Sequence, residues 1–271
     1  MSRKPGEIAE NICNIFGNKL KTPIGKVFLL AILAGAYIGF GGYLFVLVSS
    51  DAAAYVGRGL AAFIGGVVFS LGLILIVLGG GELFTGNGLL TVACLSGKAQ
   101  IAEILKNWVV VYLGNLIGSL VLVGFIYAGG SYLANDGAVA VRALQIASAK
   151  VNLSFMDALI RGILCNWLVC MAIWISNSSE DTTGKILAII FPISAFVALS
   201  FEHSVANMFL IPLGIVVSGN ASIVAKAGVN VSNLGLSGLV GNLIPVTIGN
   251  LIGGALFVAA AYWYIYLSDS K

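Results

Sequence analysis

Residues 60–95 form an apolar run interrupted by GELFTGN (81–87), which sets a carboxylate, a hydroxyl, an amide and two glycines where hydrophobic helix is expected. As one unbroken helix the run would extend roughly 54 Å, against ~30 Å of bilayer hydrocarbon. That is too long for one upright span and too short for two spans joined by a turn. The run 186–217, at roughly 48 Å, has the same awkward length and its own polar patch, EHSVAN (202–207). Irregular backbone at membrane depth is tolerated only where protein or a water-filled cavity satisfies it. The sequence therefore predicts two spans broken around a polar interior.

Apolar runs at 27–48, 108–128, 155–175 and 237–267 bring the spans to six. Only 9% of the 271 residues are charged and 59% are hydrophobic, whereas a soluble domain carries about 25% charged residues. The predicted fold is an all-α membrane protein with a channel domain at 27–267, its halves at about 27–130 and 155–267, and a tail at 268–271. Lysines and arginines favour the side of the termini, nine against five, which places both termini in the cytoplasm by the positive-inside rule. Residues 1–26 read as an amphipathic segment rather than a signal peptide, with Ile8, Ile12, Ile15 and Phe16 on one face. Such a segment lies on the membrane surface or gates a pore. The net charge of +3 is spread along the chain and excludes a nucleic-acid footprint. Cys13, Cys94, Cys165 and Cys170 have no metal or disulfide spacing and read as small buried side chains.

The two halves of the chain echo each other. YLGNLIGSLV (112–121) matches TIGNLIGGAL (247–256), pairing Asn115 with Asn250, and eight residues earlier Asn107 pairs with Asn242. Both breaks read Glu-x-x-x-x-Asn, Glu82 to Asn87 and Glu202 to Asn207. AILAGAYIG (31–39) and ALIRGILCN (158–166) agree weakly. Three spans repeated as three must insert in opposite senses, and such inverted repeats place a pathway at their interface, between discontinuous helices.

Ionisable residues inside the membrane are functional candidates by default. Here they are Glu82, Glu202 and the only histidine, His203. The two glutamates read as scaffold, accepting hydrogen bonds from backbone freed at each break. His203 can act near neutral pH as proton source or hydrogen-bond donor. Thr85 supplies a hydroxyl from the opposite break, and Leu83, Phe84 and Phe196 would close the route by excluding water. A station this small admits cargo of a few heavy atoms, and exposed helix N-termini favour anions. Lys150, in the third-to-fourth loop, would gather anions or be an ordinary solvated lysine.

GELFTGN, FEHSVANMFLIPLGI (201–215) and NLIPVTIGNLIGG (242–254) resemble the formate/nitrite transporter family, a likeness that runs from KNWVVVYLGNLIG (106–118) to YWYIYL (262–267). The resemblance implies a homopentamer of aquaporin-like protomers in the lipid bilayer of a bacterial cytoplasmic membrane, each with its own pore. It implies a second-span loop at 81–88 presenting Thr85, a central His203 supported by Glu202 and Asn166, the outer Lys150, and a pore-facing Asn250. Leu73, Leu83 and Phe196, with Phe69 and Phe84 nearby, would form the constrictions, while Asn87 and Asn207 accompany the structural glutamates. Such proteins pass small monovalent anions of weak acids. The glycine-rich second-span loop leans towards hydrosulfide, then formate, then nitrite. A desolvated anion is costly in an apolar slit and its neutral acid is not, so the expectation is anion capture by Lys150 and protonation by His203. No cofactor or metal is expected, since a lone histidine cannot build a multi-histidine site. An enzyme is not expected, because no nucleophile-elbow motif is present. An aquaporin-like channel for neutral solutes is the alternative, although paired Asn-Pro-Ala motifs are missing.

Overall fold

A computed structural model of the protein describes residues 2–270, and its regular structure is helical throughout. Met1 of the 1–26 segment and Lys271 of the 268–271 tail lie outside the described residues. The six predicted runs become a first span Ile24–Ser49, a second Arg58–Gly79 followed by Gly86–Leu95, and a third Ile101–Ala128. The fourth is Phe155–Ser176, the fifth Thr182–Ala198 followed by Ser204–Val217, and the sixth Leu236–Tyr266. Both predicted breaks are present, but they differ in position. Arg58–Gly79 is long enough to cross a membrane alone, whereas the fifth run is two shorter pieces. At the first break Gly80 takes φ +90, a conformation that glycine reaches without steric cost. Ser200 takes φ +56 at the second, an uncommon value for a residue with a Cβ.

The repeat is written in hydrogen bonds. Asn115 Nδ2 donates to the carbonyls of Ala31 (2.8 Å) and Glu82 (2.9 Å), and its Oδ1 accepts from Phe84 N (2.9 Å). Asn250 Nδ2 donates to the carbonyls of Gly162 (2.8 Å) and Glu202 (2.9 Å), and its Oδ1 accepts from Ser204 N (2.8 Å). Glu82 N reaches Leu30 O, and Glu202 N reaches Arg161 O. A broken helix frees backbone groups that cost roughly 1–3 kcal/mol each if buried unpaired, and one amide side chain in each half pairs two of them while its third bond ties the break to the neighbouring span. These partners set Ala31 against Gly162, one helical turn away from the 31–39 and 158–166 alignment expected from sequence.

The first span packs on the third and the fourth on the sixth. A Cβ at Gly118 would strike the carbonyl of Ile32, and one at Gly253 the carbonyl of Ile163. Missing side chains thus let the backbones approach until the asparagines can reach across.

Two connections differ from expectation. The third-to-fourth loop contains a helix, Ala138–Val151, with Lys150 in its last turn. The N-terminal segment forms a helix, Pro5–Lys19, that packs on protein rather than lying free on a membrane surface. It buries Ile8, Ala9, Ile12, Cys13 and Phe16 in a cluster with Leu89, Leu90, Trp174 and Val258, while Ile15 faces outward. Arg3 anchors its start through the Asn177 carbonyl and the Glu180 carboxylate. Cys13, Cys165 and Cys170 are buried and Cys94 is partly buried, all as free thiols.

Candidate functional site: a histidine and threonine between two cation-lined cavities

The two breaks meet through one side-chain contact. His203 Nε2 lies 2.9 Å from Thr85 Oγ1, and both residues are buried. His203 caps the helix Ser204–Val217, its Nδ1 accepting from Ala206 N at 3.0 Å. The acceptor role of Nδ1 assigns the tautomer, so Nε2 carries the hydrogen and donates it to Thr85. The Thr85 hydroxyl then keeps its own hydrogen to offer. Asn166 steadies this loop, donating to the carbonyls of Thr85 (3.1 Å) and Asn250 (2.6 Å). Its Oδ1 is buried without a protein partner.

A cavity of about 270 Å³ reaches His203 from one side and is lined by Phe69, Phe196, Lys150, Glu202 and Asn207 among others. A second, of about 410 Å³, reaches Leu83 from the other side, with Lys19, Glu82 and Asn87 in its wall. Phe196 stacks on His203 (5.9 Å between centroids) and meets Phe69 edge-on (5.6 Å), so the imidazole sits behind an aromatic wall. Leu73 is buried and lines neither cavity.

Each cavity carries the same charged cluster. Lys150 Nζ pairs with Glu202 Oε1 at 2.8 Å, Asn207 donates to Glu202 Oε2 at 2.6 Å, and Asn207 also donates to Asn242 at 2.7 Å. On the other side Lys19 Nζ pairs with Glu82 Oε1 at 3.2 Å, Asn87 donates to Glu82 Oε2 at 2.7 Å, and Asn87 donates to Asn107 at 2.8 Å. Lys19 stands twelve residues before Ala31, as Lys150 stands twelve before Gly162. The equal spacing shows only in the register that the carbonyl partners set, because in the 31–39 and 158–166 alignment Lys150 stands eight residues before Ala158. In sequence Lys19 therefore counts only as charge.

Four expectations change, the first being Leu73, which lines neither cavity. Asn250 does not face a pore, because its amide is consumed by the backbone of the fourth span and of the second break. Phe84 packs edge-on against Tyr112 at 4.8 Å and lines neither cavity. Glu202 is the scaffold expected, but its carboxylate accepts from the Lys150 and Asn207 side chains rather than from backbone freed at the break, as Glu82 accepts from Lys19 and Asn87. In the matched register the counterpart of His203 is Leu83, so one half supplies an imidazole where the other supplies a hydrocarbon.

An inverted repeat of three spans and three spans, with a polar couple between two cation-lined cavities, defines a membrane channel or transporter rather than an enzyme. Residues 6–264 match the model of the formate/nitrite transporter family. The chain belongs to that family. It is 42% identical over 251 residues to the formate channel FocA of Escherichia coli strain K12, covering 90% of this chain and 88% of the relative. It is 41% identical to a probable formate transporter of Methanothermobacter thermautotrophicus, with 98% of both chains covered. A solved structure described as a pentameric formate channel with formate bound superposes with TM-score 0.83 at 41% identity, covering 90% of this chain and 98% of that one.

Proposed function

We propose that this chain is a channel or transporter for small monovalent anions of weak acids, formate first among them, working as a homopentamer in a bacterial cytoplasmic membrane with both termini in the cytoplasm. The observation that carries the reading is the His203–Thr85 couple set between two cavities whose walls bear more cations than carboxylates. An uncharged solute gains nothing from such walls, which favours anions over the aquaporin-like alternative. Formate stands ahead of hydrosulfide and nitrite because the curated relatives at about this level of identity carry formate in their names. Exposed Leu29, Val109, Phe125 and Phe191 on the outer faces suit contact with lipid or neighbouring protomers.

In this reading Lys150 and Lys19 hold anion concentration high at either mouth. At the centre an anion inserts between Nε2–H of His203 and the Thr85 hydroxyl and accepts from both. The charged form cannot cross the Phe196–Leu83 region cheaply, and its conjugate acid can. Full proton donation from Nε2 would leave an imidazolate, and an imidazolium would set a second N–H against the Ala206 amide. The geometry therefore favours His203 as a neutral donor over the proton source expected from sequence. The proton comes from water in the cavity: hydronium and anion give acid and water.

Reconstituted protein should carry formate at a rate that falls roughly tenfold per pH unit, following titration of the substrate, and chloride should be excluded. His203→Asn should slow flux while keeping that slope. Passage of glycerol as fast as formate, without pH dependence, would refute the anion reading. Loss of the slope in His203→Asn would return the proton to His203.

A further inference from the structure

The two cavities are unequal in free charge. Arg142, Lys150 and Arg161 line the His203-side cavity against one carboxylate, Glu202. Lys19 and Lys185 line the Leu83-side cavity against Glu82. Lys150 and Lys19 are each ion-paired, whereas among the described residues neither Arg142 nor Arg161 meets a carboxylate within salt-bridge distance. The surplus on the His203 side is therefore two guanidinium groups, and on the other side one ammonium.

Arg142 is built into that wall. Arg142, Gln145, Ile146, Ala149 and Lys150 all line the cavity, and their spacing puts them on one face of the helix Ala138–Val151. The guanidinium is anchored at one atom, Nε donating to Ser49 Oγ at 3.0 Å across from the first span. Its other nitrogens have no protein acceptor among the described residues. Behind it lies a cleft with Asp136 and Lys226, which also brings no ion pair. A half-buried guanidinium without a counter-ion is costly, and its planar fork matches a carboxylate or nitrite edge better than a spherical ion.

We propose that Arg142, assisted by Arg161, forms an anion-collecting site in the His203-side cavity that captures small planar oxyanions before they reach His203, so that the pore loads more readily from that mouth. This rests on the small-anion reading above and adds an asymmetry to it.

The test measures initial formate uptake against concentration in spheroplasts and in inverted membrane vesicles, which present opposite faces. Arg142→Gln should raise the half-saturating concentration from one face by about three- to tenfold, the scale of a rim charge in a focusing cleft. Maximal flux and the opposite face should be unchanged. Arg142→Lys keeps the charge without the planar fork and should recover only part of the loss for formate, and ~0.5 M salt should narrow the difference between variants, because the Debye length falls well below 10 Å. If Arg142→Gln fails to reach the membrane, Arg161→Gln carries the same one-sided expectation. Unchanged half-saturation from both faces, or an equal shift at both, would overturn the inference while leaving the channel reading intact. A wild type with no formate flux from either face would remove the channel reading and this inference with it.

Discussion

His203 holds two positions at once: Nδ1 caps the start of a helix and Nε2 meets Thr85 of the opposite break. An asparagine or serine would serve as well for the cap alone, so the imidazole is explained by its second nitrogen, which reaches across to the opposite break. Among the described residues Thr85 is its one side-chain hydrogen-bond partner. Thr85→Val keeps the shape and removes the hydroxyl, so formate flux should fall roughly tenfold, the worth of one hydrogen bond of ~1.4 kcal/mol, while the buried Nε2–H left without an acceptor should lower the melting temperature of the purified protein by a few degrees at most. Flux at the wild-type level would mean that the couple is packing only. The candidate residues were visible in sequence as polar groups inside apolar runs. Their division of labour was not, because Asn250, Phe84 and Glu202 look alike as letters whether they face a pore or a backbone.

At the level of elements, the breaks were legible and the contacts across them were not. Run length and the Glu-x-x-x-x-Asn spacing locate both interruptions, since hydrocarbon punishes unpaired backbone wherever it occurs. The first-to-fourth register was missed by one turn because small residues match small residues in several frames, and only carbonyl partners choose among them. Helix Ala138–Val151 reads as a loop in sequence because its 14 residues are too few to span a membrane, Arg142, Gln145 and Lys150 interrupt its apolar run, and its packing partner, Ser204–Val217, is distant in sequence. The close approach of the first and third spans makes a specific expectation. Gly118→Ala would push a methyl group into the Ile32 carbonyl and separate the Asn115 amide from Ala31 O. Its melting temperature in detergent should drop by several degrees, consistent with overpacking at ~1–3 kcal/mol. Gly124→Ala, which meets nothing, should melt like the wild type. Equal melting of the two would contradict the role given to backbone contact.

Over the whole molecule, the inverted repeat builds two similar mouths and one dissimilar centre. Lys–Glu–Asn–Asn clusters recur on both sides, Lys19–Glu82–Asn87–Asn107 and Lys150–Glu202–Asn207–Asn242, whereas His203 and Leu83 occupy matched positions without matching in chemistry. That arrangement suits an anion that is gathered as an anion at either mouth and crosses the middle uncharged. Neutral-acid passage is the central claim, and its electrical consequence is direct. In proteoliposomes enclosing a pH dye, an inward formate gradient should acidify the lumen, and the rate should be the same whether or not potassium with valinomycin clamps the membrane potential. Uptake that develops an inside-negative potential, leaves the lumen unacidified and continues only under the clamp would show formate crossing as a bare anion and contradict the account.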